Sequence, residues 1–388
     1  MNRLEQLINE NVQGIQISGI RQFFNKVAAY PDAVQLTIGQ PDFPTPEHVK
    51  EAGKKAIDHN HTTYTPNAGL LSLREAAAQF MRHRYDLHYD ANTEVIATIG
   101  ASQAIDITFR TILEPGAEVI LPAPVYPGYE PIIHLCGATP VFVDTSATDF
   151  KITAEQIKTH LTEKTRAIVL PYPSNPTGCT LDRDEMSAIV EVLRDKDLFI
   201  LSDEIYSELI YDQSHVSIAQ YPELRDKTIV INGLSKSHAM TGWRMGFAFA
   251  PAFLAKHMLK VHQYNVSCTS SISQHAAIEA LTVGERDAEE MKRVYARRRD
   301  YMIKRLEDMG IDFVKPSGAF YIFPSIKKWQ RPSFDFASQL LEEQKLAIVP
   351  GSAFSNYGEG YVRISYAYHD DILEEGADRL QRFLHSLS

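Results

Sequence analysis

The sequence of 388 residues is poor in cysteine and has no excess of positive charge. Its three cysteines stand at positions 136, 179 and 268 and form no CxxC pair, which argues against a disulfide framework or a zinc ribbon. Buried free thiols suit a reducing cytoplasm, where we expect the protein to be located. Lysine and arginine total 39 against 49 aspartates and glutamates, a formal net charge of −10. This acidic balance argues against nucleic acid or an anionic membrane as the main partner.

Long apolar runs and several familiar motifs are also absent. No run of 18 uncharged apolar residues is present that could span a bilayer, and the first twenty residues lack the apolar core of a signal peptide. The sequence contains no G-x-G-x-x-G, no G-x-x-x-x-G-K-[ST] and no H-E-x-x-H. These absences argue against a dehydrogenase and a metal hydrolase, and we expect no metal site.

Short apolar runs alternate with amphipathic stretches between about residues 95 and 250. Runs rich in Val, Ile and Leu are typical of strands that are covered on both faces. The alternation of such strands with helices predicts an open, mostly parallel α/β sheet. The predicted strands are residues 117–124, 139–144, 165–173, 198–206, 228–236 and 245–251.

Three places in the sequence carry the pattern of a helix start. Asp182 followed by Glu185, and Ser72 followed by Glu75, each fit a capping box. Thr45 precedes a proline and fits an N-cap with proline in the first helical position.

The pattern changes after about residue 285, where residues 285–309 predict one long, charged amphipathic helix. The run Arg297-Arg298-Arg299 could bind an anion, but we interpret it as a solvated helix face. Short strands and a final helix follow, which indicates a second, smaller α+β domain. The predicted divisions are 1–45 for an N-terminal arm and part of the small domain, 46–284 for the large domain and 285–388 for the small domain.

Polar and aromatic side chains follow the predicted strands. In open α/β sheets, ligands bind beyond the carboxyl ends of the strands. These side chains should therefore meet at one edge of the sheet: Ser102, Tyr126, Asn175, Asp203, Tyr206, Ser235, Lys236 and Arg244.

This set suits pyridoxal 5′-phosphate, which carries an aldehyde and a phosphate at different ends of one ring. The aldehyde needs an amine, for which Lys236 is the candidate. The phosphate needs a helix N-terminus with small residues, here Gly100-Ala101-Ser102, and a cation, here Arg244. Two cations can lie close together if a dianion lies between them. The repulsion between the two cations also lowers the pKa of the lysine.

The cofactor ring sets further requirements. Its pyridine nitrogen needs a carboxylate such as Asp203 to remain protonated. Its phenolic oxygen needs donors, for which Asn175 and Tyr206 are candidates, and its face needs a flat partner such as Tyr126. Each of these residues alone is more typical of a cap, a turn or packing, and the prediction depends on their joint order and spacing.

Three segments resemble the signature segments of class I aminotransferases, which are fold-type I pyridoxal-phosphate enzymes: PYPSNPTG (171–178), SDEIYSELIY (202–211) and NGLSKSHAMTGWRMGF (232–247). The resemblance covers nearly the whole chain. It implies an α/β fold, with a large domain built on a mostly parallel seven-stranded sheet and a smaller α+β domain.

The resemblance also implies roles for the cofactor residues. Lys236 is implied to be the Schiff-base lysine, Asp203 the partner of the pyridinium and Arg244 a phosphate ligand. Tyr206 joins the first two as a catalytic residue, and Ser235 is a further cofactor contact.

For the substrate, the resemblance implies that Arg363 binds the α-carboxylate with help from Asn175 and the backbone of Gly39. A bidentate arginine–carboxylate pair is the physical reason. Tyr64 is implied to reach the phosphate of the neighbouring subunit, so that the protein is a homodimer with shared active sites.

Within this family, the segments are most similar to the N-acetyl-L,L-diaminopimelate aminotransferases of lysine biosynthesis. That similarity implies exchange between glutamate and L-2-acetamido-6-oxopimelate. Residues 261–277 are rich in Tyr, Asn, Ser, Thr and Gln, and we expect them to line the cleft near the subunit interface and bind a neutral polar chain.

Alternatives remain open. A broad aspartate or aromatic aminotransferase uses the same residues, and so does a pyridoxal-phosphate-dependent C–S lyase, decarboxylase or synthase. A cofactor-sensing regulator is less favoured, because no basic helix-turn-helix extension is present.

Overall fold

The computed structural model describes residues 4–16 and 19–387. Residues 1–3 and 17–18 of the predicted arm and the final residue lie outside the described part. The strands are β1 (Val34–Gln35), β2 (Val95–Ile99), β3 (Glu118–Ala123), β4 (Thr139–Asp144), β5 (Thr165–Leu170), β6 (Phe199–Asp203), β7 (Thr228–Gly233), β8 (Met245–Phe249), β9 (Tyr321–Ile322), β10 (Leu346–Ala347), β11 (Val349–Pro350) and β12 (Val362–Ser365).

Seven of these strands form the central sheet, in the order β2-β8-β7-β6-β5-β3-β4. Strand β8 pairs antiparallel with both of its neighbours, and every other pair between neighbouring strands is parallel. The predicted mostly parallel seven-stranded sheet is confirmed, and each of the six predicted runs contains one of its strands.

Helices surround the sheet and continue to the C-terminus. The α-helices are α1 (Glu10–Gln13), α2 (Gly19–Val27), α3 (Glu47–Asp58), α4 (Leu71–Tyr85), α5 (Gly100–Ile112), α6 (Tyr129–Leu135), α7 (Ala154–His160), α8 (Arg183–Leu193), α9 (Leu234–Ser237), α10 (Ala252–Val266), α11 (Ser271–Thr282), α12 (Ala288–Asp308), α13 (Ser333–Gln344) and α14 (Asp370–Ser386). Turns of 3-10 helix lie at Glu5–Leu7, Ser146–Thr148, Ile218–Gln220, Pro222–Lys227, Thr241–Trp243, Lys327–Trp329, Gly351–Phe354 and Asn356–Gly358.

Both faces of the central sheet are covered, which explains its apolar strands. Successive residues of a strand point to opposite faces. Val119 and Leu121 of β3 accordingly join the core cluster that contains residues of α5 and α10, while Ile120 between them joins the cluster that contains residues of α8. All three side chains are fully buried. Helices on both faces leave the strand ends as the place where polar side chains can face a ligand.

The C-terminal part of the chain has its own sheet and core. Strands β11, β12 and β9 form an antiparallel sheet, and β10 pairs in parallel with β1 from the N-terminal segment. Phe320, Phe336 and Phe383 lie in the core cluster of this part, together with Phe23 of α2. The N-terminal segment therefore packs with the C-terminal part of the chain, while the exact domain boundaries at residues 45 and 285 stay a prediction.

The predicted helix starts had different outcomes. Asp182 caps α8, and its capping box with Glu185 is complete in both directions. The box at Ser72 was wrong, because the N-cap of α4 is Leu70, two residues earlier, and the Leu70 amide donates to the side-chain oxygen of Gln274. Thr45 does not cap α3, because its hydroxyl donates to the carbonyl of Ala239.

The interpretation of the arginine run was also wrong. The long helix is present as α12, but only Arg297 lies on its exposed face. The side chains of Arg298 and Arg299 are buried and form ion pairs with Asp42 and Asp212 respectively. A sequence pattern does not show the acidic partners whose charges offset the desolvation cost of burying two guanidinium groups.

The described residues contain neither a membrane-spanning helix nor a metal-binding cluster. No helix found there combines the length and the apolar character needed to cross a membrane. Within the same part of the chain, no cluster of three or more His, Cys, Asp or Glu side chains is arranged to hold a metal ion.

The two capping predictions can be tested against each other. Asp182→Ala removes a side chain that accepts from the Glu185 amide, so we expect the free energy of unfolding to fall by about 1 kcal/mol. Ser72→Ala, at an exposed position inside α4, should change it by less than about 0.5 kcal/mol. Chemical denaturation of both variants measures the difference. Equal losses would contradict the assignment of the caps.

Candidate active site

A cavity of about 410 Å³ lies at the carboxyl ends of β3, β5, β6 and β7. Residues from the N-terminal segment and from the C-terminal part close it on the other side. Eleven of the predicted site residues line it: Gly39, Ala101, Ser102, Tyr126, Asn175, Asp203, Tyr206, Ser235, Lys236, Arg244 and Arg363.

Two predicted residues and one predicted segment lie outside the cavity wall. Gly100 lies directly behind the wall, next to Arg244. Tyr64 is 89% exposed and does not reach the cavity of its own chain. Residues 261–277 do not line the cavity of the single chain, and their predicted place near the subunit interface stays a prediction. Most of these residues belong to α10 and α11. The side-chain oxygen of Gln274 in α11 accepts a hydrogen bond from the Leu70 amide.

Lys236 brings an amine into a mostly uncharged wall. It lies in the single turn α9, directly after the buried strand β7, and its Nζ donates to the carbonyl oxygen of Gly39 at 2.5 Å. Burial, followed by the charges of Arg363 and Arg244, lowers the pKa of this amine to about 8. Such an amine is partly unprotonated near neutral pH and can act as a nucleophile or a base.

Asp203 ends strand β6 and brings a buried carboxylate to the same cavity. The Tyr129 hydroxyl donates to its Oδ2 at 2.6 Å, and the Ile205 amide donates to its Oδ1 at 3.2 Å. Both donors are uncharged, and burial raises the pKa of Asp203 to about 6. A cationic N–H in the cavity would favour the ionised carboxylate.

The N-terminus of α5 and Arg244 together offer the groups that bind an anion. Free N–H groups at a helix start attract negative charge, and Ala101 and Ser102 of this first turn line the cavity. Gly100 has φ of +70°, and a Cβ there would lie 2.6 Å from Nη2 of Arg244. Only glycine therefore permits the guanidinium to pack against the helix start. Ser235, buried in α9, lines the cavity beside them.

Arg363 lies in β12 and reaches the cavity from the C-terminal part of the chain. Its Nη1 donates to Oδ1 of Asn175 at 2.8 Å, and its Nη2 donates to the Thr37 carbonyl at 2.6 Å. The guanidinium lies over the rings of Tyr321 and Phe354 at 4.4 and 4.9 Å. Its Nε is buried and has no hydrogen-bond partner in the described structure. Nη1 and Nη2 each carry a second N–H, which can bind an anionic ligand.

Tyrosines complete the wall. The hydroxyls of Tyr206 and Tyr321 are 2.8 Å apart. Tyr126 lines the cavity, interacts with the Ser102 hydroxyl and meets the Tyr129 ring edge-on at 5.7 Å. Its ring is thus held in place for stacking.

The sequence analysis missed three residues that touch this constellation, namely Thr37, Tyr129 and Tyr321. Tyr129 stands three residues after Tyr126, and this spacing was the only available signal. Thr37 acts through its backbone carbonyl and Tyr321 lies in a two-residue strand of a different sheet, so no local pattern marks either of them.

The arrangement suits a small molecule with three distinct groups. A carbonyl would meet the Lys236 amine, a ring N–H would meet Asp203, and a phosphate would meet Arg244 and the start of α5. A second ligand with a carboxylate would meet Arg363. Three cations and one carboxylate in the described wall favour an anionic ligand overall.

Known proteins are similar to this chain in sequence and in fold. The family described as "Aminotransferase class I and II" matches residues 31–380. A Bacillus subtilis protein named "Probable N-acetyl-LL-diaminopimelate aminotransferase" is 61% identical and covers 98% of this chain and 96% of its own. An aspartate aminotransferase of Pyrococcus abyssi is 42% identical over 97% of this chain and 98% of its own. The crystal structure of an aromatic aminotransferase from Pyrococcus horikoshii has a TM-score of 0.90 at 40% identity, and the match covers 94% of this chain and all of that one.

The lowered pKa of Lys236 predicts its reactivity. An amine is acetylated only in its unprotonated form, so labelling of Lys236 in cofactor-free protein should rise with pH and reach half its maximum near pH 8. An ordinary lysine has a pKa of about 10.4 and should still be gaining reactivity well above that pH. Competitive labelling with acetic anhydride and peptide mapping gives both curves. A midpoint for Lys236 equal to that of exposed lysines would contradict the electrostatic account.

Proposed function

Because the chain belongs to the class I and II aminotransferases, we propose that its cavity binds pyridoxal 5′-phosphate and serves the N-acetyl-L,L-diaminopimelate step of lysine biosynthesis. The reaction exchanges an amino group between that compound and 2-oxoglutarate. The observation that carries the aminotransferase chemistry is the buried Lys236 amine in one cavity with Asp203, Arg244 and Arg363. The substrate is supported by the 61% identity to the Bacillus subtilis protein. The family resemblance inferred from the sequence is confirmed by the comparisons.

The residues of the cavity fit this cofactor. Lys236 would hold the aldehyde carbon, and Asp203, whose hydrogen-bond donors are uncharged, would hold the ring nitrogen. When bound, the cofactor supplies an electron sink for the bond that breaks at the substrate α-carbon. The phosphate would bind at Gly100, Ala101, Ser102, Ser235 and Arg244, the phenolic oxygen at Asn175 and Tyr206, and the ring face at Tyr126.

The chain's own side chains then have separate tasks. Arg363 would bind and orient the α-carboxylate through the second N–H groups of its Nη1 and Nη2. The Lys236 amine, whose pKa is about 8, would be the base that accepts the proton of the substrate α-carbon. Asp203 would keep the proton on the ring nitrogen, and Tyr206 would donate to the phenolic oxygen.

The charges of the wall bear on the choice of substrate. The cations of the described wall are Lys236, Arg244 and Arg363, and each has a task in the scheme above. The side-chain carboxylate of aspartate would therefore find no further cation there. A longer donor places its distal groups nearer the mouth, and Ile20 and Phe24 offer apolar surface to its methylenes.

A second candidate is a broad aspartate or aromatic aminotransferase. It is favoured by the Pyrococcus relatives, which are named for these amino acids and share about the same length with this chain. A lyase reaction at the same site remains a further alternative, because the cofactor residues do not distinguish it.

We also propose a cytoplasmic homodimer with shared active sites. The support is Tyr64, which is 89% exposed and does not line the cavity of its own chain. An exposed aromatic side chain of this kind suits a contact with the phosphate in the partner subunit. The N-terminal residues Leu4, Leu7, Ile8 and Val12 are also exposed apolar side chains that a second copy could cover.

The substrate assignment predicts a donor preference. With 2-oxoglutarate as acceptor, kcat/KM for N-acetyl-L,L-diaminopimelate should exceed that for aspartate, phenylalanine and kynurenine by at least about tenfold. Glutamate formation and the cofactor absorbance in half-reactions measure it. Preference for another donor would overturn the assignment to lysine biosynthesis, but it would leave the aminotransferase chemistry in place. If no donor converts the cofactor to its amine form, the aminotransferase chemistry itself is wrong.

Shared sites predict complementation between inactive chains. Lys236→Ala mixed with Tyr64→Ala should recover about one quarter of wild-type activity, because half of the remixed dimers carry one intact site. Lys236→Ala mixed with Arg363→Ala is the control, because both residues line the same chain's cavity. No recovery in the Tyr64 mixture, or equal recovery in the control, would contradict the proposal.

A further inference from the structure

A short segment of the N-terminal part crosses the cavity and touches both of its key cations. We call residues 37–42 the strap. The Thr37 carbonyl accepts from Nη2 of Arg363 at 2.6 Å, and the Gly39 carbonyl accepts from Nζ of Lys236 at 2.5 Å. The Ile38 amide between them donates to the hydroxyl of Tyr368 at 2.9 Å. The position of the strap therefore sets where the two cations lie.

The far end of the strap is held by Arg298 of α12. Nη1 of Arg298 donates to both carboxylate oxygens of Asp42 at 3.0 and 2.8 Å, and its Nε donates to Asp370 at 2.8 Å. The Tyr295 hydroxyl donates to Oδ1 of Asp42 at 3.0 Å. Arg298 is only 6% exposed, so its charge is committed to these carboxylates.

The two neighbours of Arg298 in the arginine run, Arg297 and Arg299, form other contacts. Arg297 is 66% exposed in its side chain and pairs with Asp370 alone. Arg299 pairs with Asp212 and donates to the Pro316 carbonyl, away from the strap. Of the three, Arg298 is the one that bonds the strap, and the chain thus offers a matched control one residue away.

We propose that Arg298 is a positioning residue for the reaction: by clamping Asp42 it fixes the Thr37 and Gly39 carbonyls, and through them Arg363 and Lys236, for substrate binding. The inference rests on the proposed role of Arg363 and Gly39 toward the substrate carboxylate. Asp42 lies two residues after Gln40, the last strap residue that lines the cavity, so the backbone held at Asp42 continues directly into the cavity wall.

The effect should fall on substrate affinity. The amino acid and the 2-oxo acid share the same α-carboxylate, so a displaced strap weakens both by a similar factor. A loss of folded protein, by contrast, lowers the active fraction and leaves KM unchanged.

The test compares Arg298→Gln with Arg297→Gln as holoenzymes, with glutamate and 2-oxoglutarate as probes. For Arg298→Gln we expect KM for both probes to rise together by about tenfold or more, with kcat per bound cofactor changing less. Arg297→Gln should stay within about twofold of wild type. Asp42→Asn should reproduce the rise in KM, and the double variant should add little to it, because both changes remove one interaction.

A second readout does not depend on the substrate. Loss of the Gly39 acceptor disfavours the charged amine, so the acetylation midpoint of Lys236 in cofactor-free Arg298→Gln should move to lower pH. Three other charged side chains face this amine: Asp203, Arg244 and Arg363. The Arg297→Gln control leaves all three of them in place. An unchanged midpoint together with unchanged KM values would overturn the proposal. Failure of glutamate to react with the wild type would instead overturn the proposed function, while the midpoint would still decide the role of Arg298.

Discussion

The site depends on one electrostatic constraint, which is that three cations share a cavity with a single carboxylate. Lys236, Arg244 and Arg363 all line the described wall, and Asp203 is the one acidic side chain among them. Burial and mutual repulsion make the amine the group that loses its proton most easily, so the pKa of Lys236 falls to about 8. Anionic ligands at the two arginines relieve that repulsion, which links binding to the chemistry.

The fold brings these charges together from distant parts of the chain. The parallel strands β6 and β7 deliver Asp203 and Lys236 at their carboxyl ends, and the start of α5 delivers the N–H groups of an anion site. The C-terminal part supplies Arg363, and the N-terminal strap supplies the carbonyls that bond both cations. Contacts such as the Asp42–Arg298 ion pair hold these parts of the chain together.

Sequence reasoning succeeded where one local pattern determines the outcome. The apolar runs predicted the central strands, and the order of motifs predicted the family and placed eleven site residues around one cavity. It failed where a distant partner decides. The predicted cap at Ser72 is replaced by Leu70, whose amide bonds to Gln274, and the buried Arg298 pairs with Asp42. Tyr129 and Tyr321 were missed for the same reason, because their hydroxyls find their partners only in the folded chain.

The central claim is that Lys236 carries the cofactor. Reduction of the holoenzyme with borohydride fixes a carbonyl cofactor on the amine that holds it, and digestion with mass spectrometry locates the pyridoxyl group. We predict one label for each chain, on the peptide that contains Lys236. A label on another lysine, or no label on protein that retains the cofactor, would contradict the account.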